Sequence, residues 1–260
     1  MILVIDVGNT NTEVGAFEGD DLITSWRFMT KTPRTSDEFA VTFRGFFQTD
    51  ELDPKAVESI IVASVVPDVM HSMINGVKKV FGRTPMAVGP GIKTGMPILM
   101  NDPTEVGADR IVDAVAAYNL YGGPVLVLDF GTATTYDYVD ENGALAAGVM
   151  TPGIQISANA LFANAAKLPS IAIRKPKTIM AKDTETNMQA GLVYGYIGQV
   201  SYIIDKMCEK IGERVKVVAT GGYGRMFLDE VDSIDIFDPK LTLKGLKIIH
   251  DKNLASRRRK

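Results

Sequence analysis

The chain has 260 residues, of which 46% are hydrophobic and 23% charged, and a formal net charge of -3. At about 100 to 200 residues per domain that length accommodates two modest domains, each with its own core, and the composition excludes disordered, fibrous and membrane-spanning classes. The net negative charge offers no general attraction to nucleic acid or anionic membrane, and a lone cysteine, Cys208, excludes an internal disulfide and a thiolate metal cluster.

The chain opens MILVID, reaching Asp6 before any apolar stretch long enough for a signal peptide, and no run approaches the roughly 20 residues of a membrane helix. The expectation is a cytoplasmic protein with a structural thiol at Cys208 and neither nucleic acid nor membrane as partner. The basic end Arg257, Arg258, Arg259, Lys260 reads as a solvated terminus without function, whose deletion should be harmless.

Residues 2–5 form a short β-branched run ahead of Asp6 and Gly8, the pattern of a strand buried on both faces. Residues 12–17 alternate, Gly19-Asp20-Asp21 makes a turn, and residues 22–28 continue a three-strand meander. Thr35 and Glu38 have capping-box spacing ahead of Phe39, Val41, Phe43 and Phe46, which predicts a helix. A buried strand over 60–65 and a helix over 68–80 complete a βββαβα order.

The pattern restarts at Val125. VLVLD is a buried run, residues 134–139 alternate, Glu141-Asn142-Gly143 turns, and residues 144–149 are extended. A helix from about Ile154, a long one over 186–211, a strand over 215–219 and further helices follow. ILVIDVGNTNTEVG at position 2 lies over VLVLDFGTATTYDY at position 125, aligning Asp6 with Asp129, Gly8 with Gly131 and Thr12 with Thr135. The repeat predicts an α/β protein of two duplicated lobes, residues 1–120 and 121–260.

In an open parallel sheet, ligands bind beyond the carboxyl ends of the strands, where both Asp-x-Gly turns fall. Glycine lets backbone N–H groups approach phosphate oxygens, and Thr and Asn add neutral donors. The carboxylates repel bare phosphate but suit a magnesium ion that accompanies it. An Asp that only opens a turn is the alternative at either site taken alone. No GxxxxGK[ST] is present. Gly89-Pro90-Gly91-Ile92-Lys93-Thr94-Gly95 reads as a loop, and Asp129-Phe130-Gly131 spells the protein-kinase DFG by accident, since the HRD and VAIK segments are missing.

The duplicated order with DVGNTNT, DFGTATT and a late ATGG resembles the actin, sugar kinase and heat-shock ATPase superfamily, whose fold is two ribonuclease H-like lobes around a nucleotide cleft. Within it, DVGNTNT, VGPGIKTG, EVGADRIVDAVAAY, DFGTATT, TPGI, AAKLP and ATGG, in that order along nearly the whole chain, resemble the type III pantothenate kinases. The resemblance implies ATP-dependent phosphorylation of pantothenate, the first step of coenzyme A synthesis, by a homodimer. It implies an ATP loop of Asp6, Val7, Gly8, Asn9, Thr10, Asn11, Thr12 and Glu13, with Asp6 near the magnesium, and further ATP contacts at Thr132, Gly221 and Gly222. Gly107, Ala108, Asp109 and Arg110 would line the pantothenate site with Asp109 as general base, Met100 and Thr184 would touch the substrate, and Asp129 would hold a monovalent cation, potassium or ammonium.

The chemistry of Asp109 agrees, because a carboxylate within reach of a primary hydroxyl can take its proton, and Arg110 suits an acceptor that carries a carboxylate. An Asp-Arg pair favourable at the start of a helix over 111–118 explains the same residues without catalysis. Three positions depart from the family: Met100 replaces a tyrosine, Asp183-Thr184 an asparagine and threonine, and Ala147-Gly148 a double glycine. Met100 matters most, since a lost hydroxyl could retune the acceptor pocket. His71 and His250 have no metal-ligand spacing and read as structural or solvent-facing, and the scattered methionines as core filler. Three functions follow: a pantothenate kinase, a kinase of the same fold with another small acceptor, or a nucleotide-binding regulator without catalysis.

Overall fold

The computed structural model describes residues 1–30 and 33–257, with the side chain of Arg257 left out; the basic tail beyond it lies outside the described residues. The strands are β1 (Ile2–Val7), β2 (Asn11–Glu18), β3 (Asp21–Met29), β4 (Ser59–Ser64), β5 (Met86–Ala87), β6 (Val125–Phe130), β7 (Ala133–Val139), β8 (Leu145–Pro152), β9 (Lys216–Thr220) and β10 (Ile236–Phe237). The helices are α1 (Ser36–Thr49), α2 (Pro67–Phe81), α3 (Ala108–Tyr121), α4 (Ile154–Asn164), α5 (Thr184–Ile211), α6 (Gly224–Leu228) and α7 (Leu241–Arg257). None is long and apolar enough to cross a membrane.

Two five-stranded sheets form, ordered β3-β2-β1-β4-β5 and β10-β9-β6-β7-β8. Each has an antiparallel meander whose first strand is joined in parallel to a later one, β1 to β4 and β6 to β9. Read from the meander inward, the two orders are identical, so the expected duplication holds at the level of topology. Residues 2–5 and 125–129 read as continuous apolar runs because β1 and β6 are central strands, covered on both faces.

The first core gathers Leu3, Ile5 and Val7 of β1 with Phe39, Phe43 and Phe47 of α1 and Val69, Met73, Val77 and Phe81 of α2. The spacing of the phenylalanines puts them on one face of α1, and the helix begins where its cap dictates. Thr35 Oγ1 accepts from the Glu38 N–H at 3.3 Å, while Glu38 Oε2 accepts from the Thr35 N–H at 2.7 Å. The second core joins Leu126, Leu128 and Phe130 of β6 with Val193, Tyr196, Val200 and Ile204 of α5, and Cys208 packs half-buried at its edge.

The chain divides into two compact units, Met1–Pro97 with Asn101–Leu120 and Lys240–Lys260, and Ile98–Met100 with Tyr121–Pro239. One of the boundaries falls at 120/121, and α7, which follows the second sheet in the chain, packs on β1, β2 and β4. Its Leu241, Leu243, Leu246 and Ile249 are buried there, and a Cβ at Gly245 would stand 2.3 Å from the Val112 carbonyl of α3. His250 is fully buried, its Nε2 bonded to Ser59 Oγ at 2.7 Å and its Nδ1 to Asp251 Oδ1 at 3.1 Å, which fits the structural reading. His71 is exposed beside Asn75, and Gly89–Gly95 is the expected loop.

Candidate active site

Asp6 stands at the carboxyl end of β1, directly across from Glu13 on β2, with Val7 across from Thr12. The turn between them closes when the Gly8 N–H donates to the Asn11 carbonyl at 3.1 Å. Asn9 and Thr10 are the exposed residues of this turn, whereas Val7 and Thr12 point into the core. Thr12 Oγ1 bonds Thr30 Oγ1 at 2.8 Å, and the Thr30 N–H holds the Thr10 carbonyl at 2.9 Å, so the end of β3 pins the turn from behind. Glu13 is ion-paired with Lys240. Of the predicted ATP loop, Val7 and Thr12 can therefore offer only backbone groups.

Asp109 reaches the same edge of the first sheet. The Val65 N–H donates to the Val7 carbonyl at 3.1 Å, and Gly107 lies against Val65 Cγ1, where a Cβ would stand at 3.6 Å. That same Cβ would stand 2.4 Å from Asp109 Oδ1, so only glycine lets the carboxylate fold back over residue 107. Asp109 Oδ1 accepts from the Arg110 N–H at 2.8 Å at the start of α3. Burial pushes the Asp109 carboxyl above the usual carboxylate range, outweighing the Arg110 N–H and guanidinium that favour its charged form. A raised pKa at a helix N-terminus runs against the usual effect of that position. The helix-start explanation predicts a solvated, comfortable carboxylate and does not account for this one.

In the second unit the Gly131-Thr132 turn is one residue shorter, and the Gly131 N–H donates to the Ala133 carbonyl at 3.1 Å. Asp129 pairs across the ladder with Thr135 as Asp6 pairs with Glu13, and Phe130 pairs with Thr134 as Val7 pairs with Thr12. Thr12 thus corresponds to Thr134, not to Thr135 as the sequence alignment has it. Both threonines are buried, 1% and 0% exposed, and the slip arises from the missing turn residue.

The Asp129 carboxylate is enclosed by glycines. A Cβ at Gly221 would lie 2.4 Å from Oδ1, and one at Gly131 would lie 2.9 Å from Oδ2. Gly221, just beyond β9, has φ +92°, a left-handed conformation that glycine adopts without strain. Gly153 backs the turn: its N–H donates to the Thr132 carbonyl at 3.1 Å, and a Cβ there would meet the Thr132 and Gly131 carbonyls at 2.4 and 2.6 Å. TPGI is quoted in the sequence without a role for Gly153; its closeness to the turn is the structural reason for that glycine.

Met100 and Thr184 both belong to the second unit. Met100 is half-buried beside Leu99, whose N–H donates to the Leu145 carbonyl of β8 at 2.9 Å. Thr184 is exposed at the first position of α5, and Asp183 is the N-cap, accepting from the Thr186 N–H at 2.9 Å. The Thr186 hydroxyl and N–H hold the Asp183 carboxyl below its usual range. The aspartate at 183 is thereby explained by helix capping, a role asparagine fills equally well.

The donor set fits a nucleotide site more than a metal cage. Among the described residues no group of three or more His, Cys, Asp or Glu could hold a metal ion. A magnesium ion bound through one carboxylate and the substrate's own phosphates needs no such group. Glycine at 131 and 221 keeps side chains off the Asp129 carboxylate, which fits a carboxylate serving as a ligand to a cation.

The family model for type III pantothenate kinase matches residues 2–206. The chain belongs to the type III pantothenate kinases. It is 54% identical over 253 residues to the type III pantothenate kinase of Agathobacter rectalis, covering 97% of each chain. As a member of this family it is a phosphotransferase that uses ATP to phosphorylate pantothenate in coenzyme A biosynthesis. Solved structures share its fold at low identity. A Campylobacter jejuni protein named for a Baf family of transcriptional activators is 19% identical at TM-score 0.60, covering 97% of this chain and 99% of that one. The activator of 2-hydroxyisocaproyl-CoA dehydratase from Clostridium difficile, solved with bound ADPNP, is 13% identical at TM-score 0.57, covering 100% and 97%. The ROK hexokinase of Thermus thermophilus is 14% identical at TM-score 0.52, covering 98% and 99%. At these identities they establish the actin-like ATPase and sugar kinase fold alone, and say nothing of what this pantothenate kinase regulates or binds.

Proposed function

We propose that Asp109 is the general base of this pantothenate kinase, and the observation that carries the assignment is its half-buried carboxyl, folded over Gly107 beside the phosphate turn, with a raised pKa. A carboxylate whose pKa is raised accepts a proton more readily than an ordinary one. Asp109 takes the proton of the primary hydroxyl as its oxygen bonds to the γ-phosphorus of ATP. The bond from that phosphorus to the bridging oxygen breaks, and ADP leaves with the electron pair. In the first unit Gly107, Ala108 and Arg110 serve the acceptor, the Arg110 guanidinium being suited to the carboxylate of pantothenate, and in the second unit the family resemblance assigns Met100 and Thr184 to it.

For ATP the first unit offers residues 6–13, the exposed Asn9 and Thr10 giving side-chain donors, and the second unit offers Thr132 and the backbone of Gly221 and Gly222. Asp6 would hold the magnesium that accompanies the nucleotide and Asp129 would hold potassium or ammonium, and such cations would supply positive charge to offset that of the phosphates. A homodimer is supported by the exposed large apolar side chains Leu99, Met150, Ile156, Ile179, Met180 and Tyr202, all in the second unit. A cytoplasmic location agrees with the single free cysteine.

Asp109→Asn tests the base directly. The variant is expected to lose roughly 10²–10⁴-fold in kcat while the KM for pantothenate changes little, since its shape and its contact to the Arg110 N–H survive. Turnover at the parental rate would exclude Asp109 as the base.

A further inference from the structure

Tyr196 has no place in the assignments above, yet its hydroxyl sits where three segments of the second unit meet. It lies within α5, 5% exposed, with its ring against Phe130 and Phe227 at centroid separations of 6.4 and 5.0 Å. The hydroxyl is hydrogen-bonded to Thr134 Oγ1 on β7, the strand that leaves the Gly131-Thr132 turn. On the other side of the same turn the N–H of Gly153, the residue before α4, holds the Thr132 carbonyl. Burial, ahead of the hydrogen bond to Thr134, pushes the phenol above its usual pKa, and the Asp129 carboxylate adds to the shift.

The other two rings of this cluster are phenylalanines, so filling space here needs no oxygen. A buried phenol costs stability unless its O–H is bonded, and the bond of Tyr196 goes to the strand that leaves the cation turn. We propose that Tyr196 is a positioning residue for the monovalent cation: its hydroxyl holds β7 at Thr134, two residues beyond the Gly131-Thr132 turn, and so fixes Gly131 against the Asp129 carboxylate. The inference rests on the assignment of Asp129 to that cation. Discrimination among monovalent ions depends on the number and placement of the oxygens around them, so loosening the tether weakens potassium binding before it touches the acceptor site.

The test is the thermal midpoint of the full chain as KCl replaces NaCl at constant ionic strength, with magnesium and a non-hydrolysable ATP analogue present. An ion that binds only the folded state raises the midpoint as it saturates. The parent protein is expected to gain with KCl, and Tyr196→Phe to need roughly tenfold more KCl for half of that gain, as one hydrogen bond is lost. Thr134→Val, which removes the other hydroxyl, should shift the curve the same way and serves if Tyr196→Phe does not fold. The KM for pantothenate should stay unchanged in both. A parental KCl curve in a folded variant overturns the role of Tyr196 and leaves Asp129 standing. A parent without any potassium-specific gain overturns both.

Discussion

At the scale of single residues, Asp109 carries the most chemical information. Its local sequence, an acid in the first turn of α3, predicts a comfortable carboxylate, and the opposite is found because the surrounding protein desolvates it. Burial is a property of the packed chain, so the residues alone left catalysis and helix-start electrostatics as equal explanations, and only the resemblance favoured the first. Because its folded pKa lies above the unfolded one, Asp109 is most favourable to folding below the unfolded carboxylate range. That contribution is lost as pH rises through the folded value. Asp109→Asn should therefore raise the thermal midpoint above the parent's at pH 8, and lose this advantage as the pH falls into the carboxylate range. A midpoint at pH 8 below the parent's would contradict the burial account. The same raised pKa predicts that kcat/KM falls on acidification beginning above the usual carboxylate range, as the base becomes protonated.

At the scale of elements, periodicity was a good guide wherever one face of a helix or both faces of a strand are covered. The α1 cap, the long α5 and the buried runs of β1 and β6 were all legible for that reason. Two features escaped. The shorter second turn shifts Thr134, not Thr135, into the place of Thr12, and an ungapped alignment of similar buried strands does not reveal a one-residue difference in the loop between them. The apolar residues of α7 say that it packs, but not against which sheet. Gly153 was legible only as part of a motif, and its need comes from carbonyls 2.4 and 2.6 Å from where a Cβ would be. Gly153→Ala should displace the Gly131-Thr132 turn, raise the KM for ATP and lower the thermal midpoint. An alanine variant with parental ATP kinetics would show that the turn tolerates the shift.

At the scale of the whole molecule, the two sheets of identical strand order place Asp6 and Asp129 at equivalent strand ends, which is what the repeated Asp-x-Gly suggests. Most of the exposed large apolar side chains, among them Met150 and Ile156, fall in the second unit. Light scattering at micromolar concentration should report twice the 28.2 kDa chain mass, and polar substitution of Met150 and Ile156 together should shift it toward one chain mass. A monomeric parent would remove the dimer from the account. The central claim, phosphoryl transfer from ATP to pantothenate at a site built on Asp109, is tested most directly by incubating the protein with magnesium, ATP and pantothenate, once with potassium and once with sodium, and following the product by mass. The account predicts 4'-phosphopantothenate that forms faster with potassium and is lost in Asp109→Asn. Folded protein that binds ATP yet yields no phosphopantothenate with either ion would contradict it.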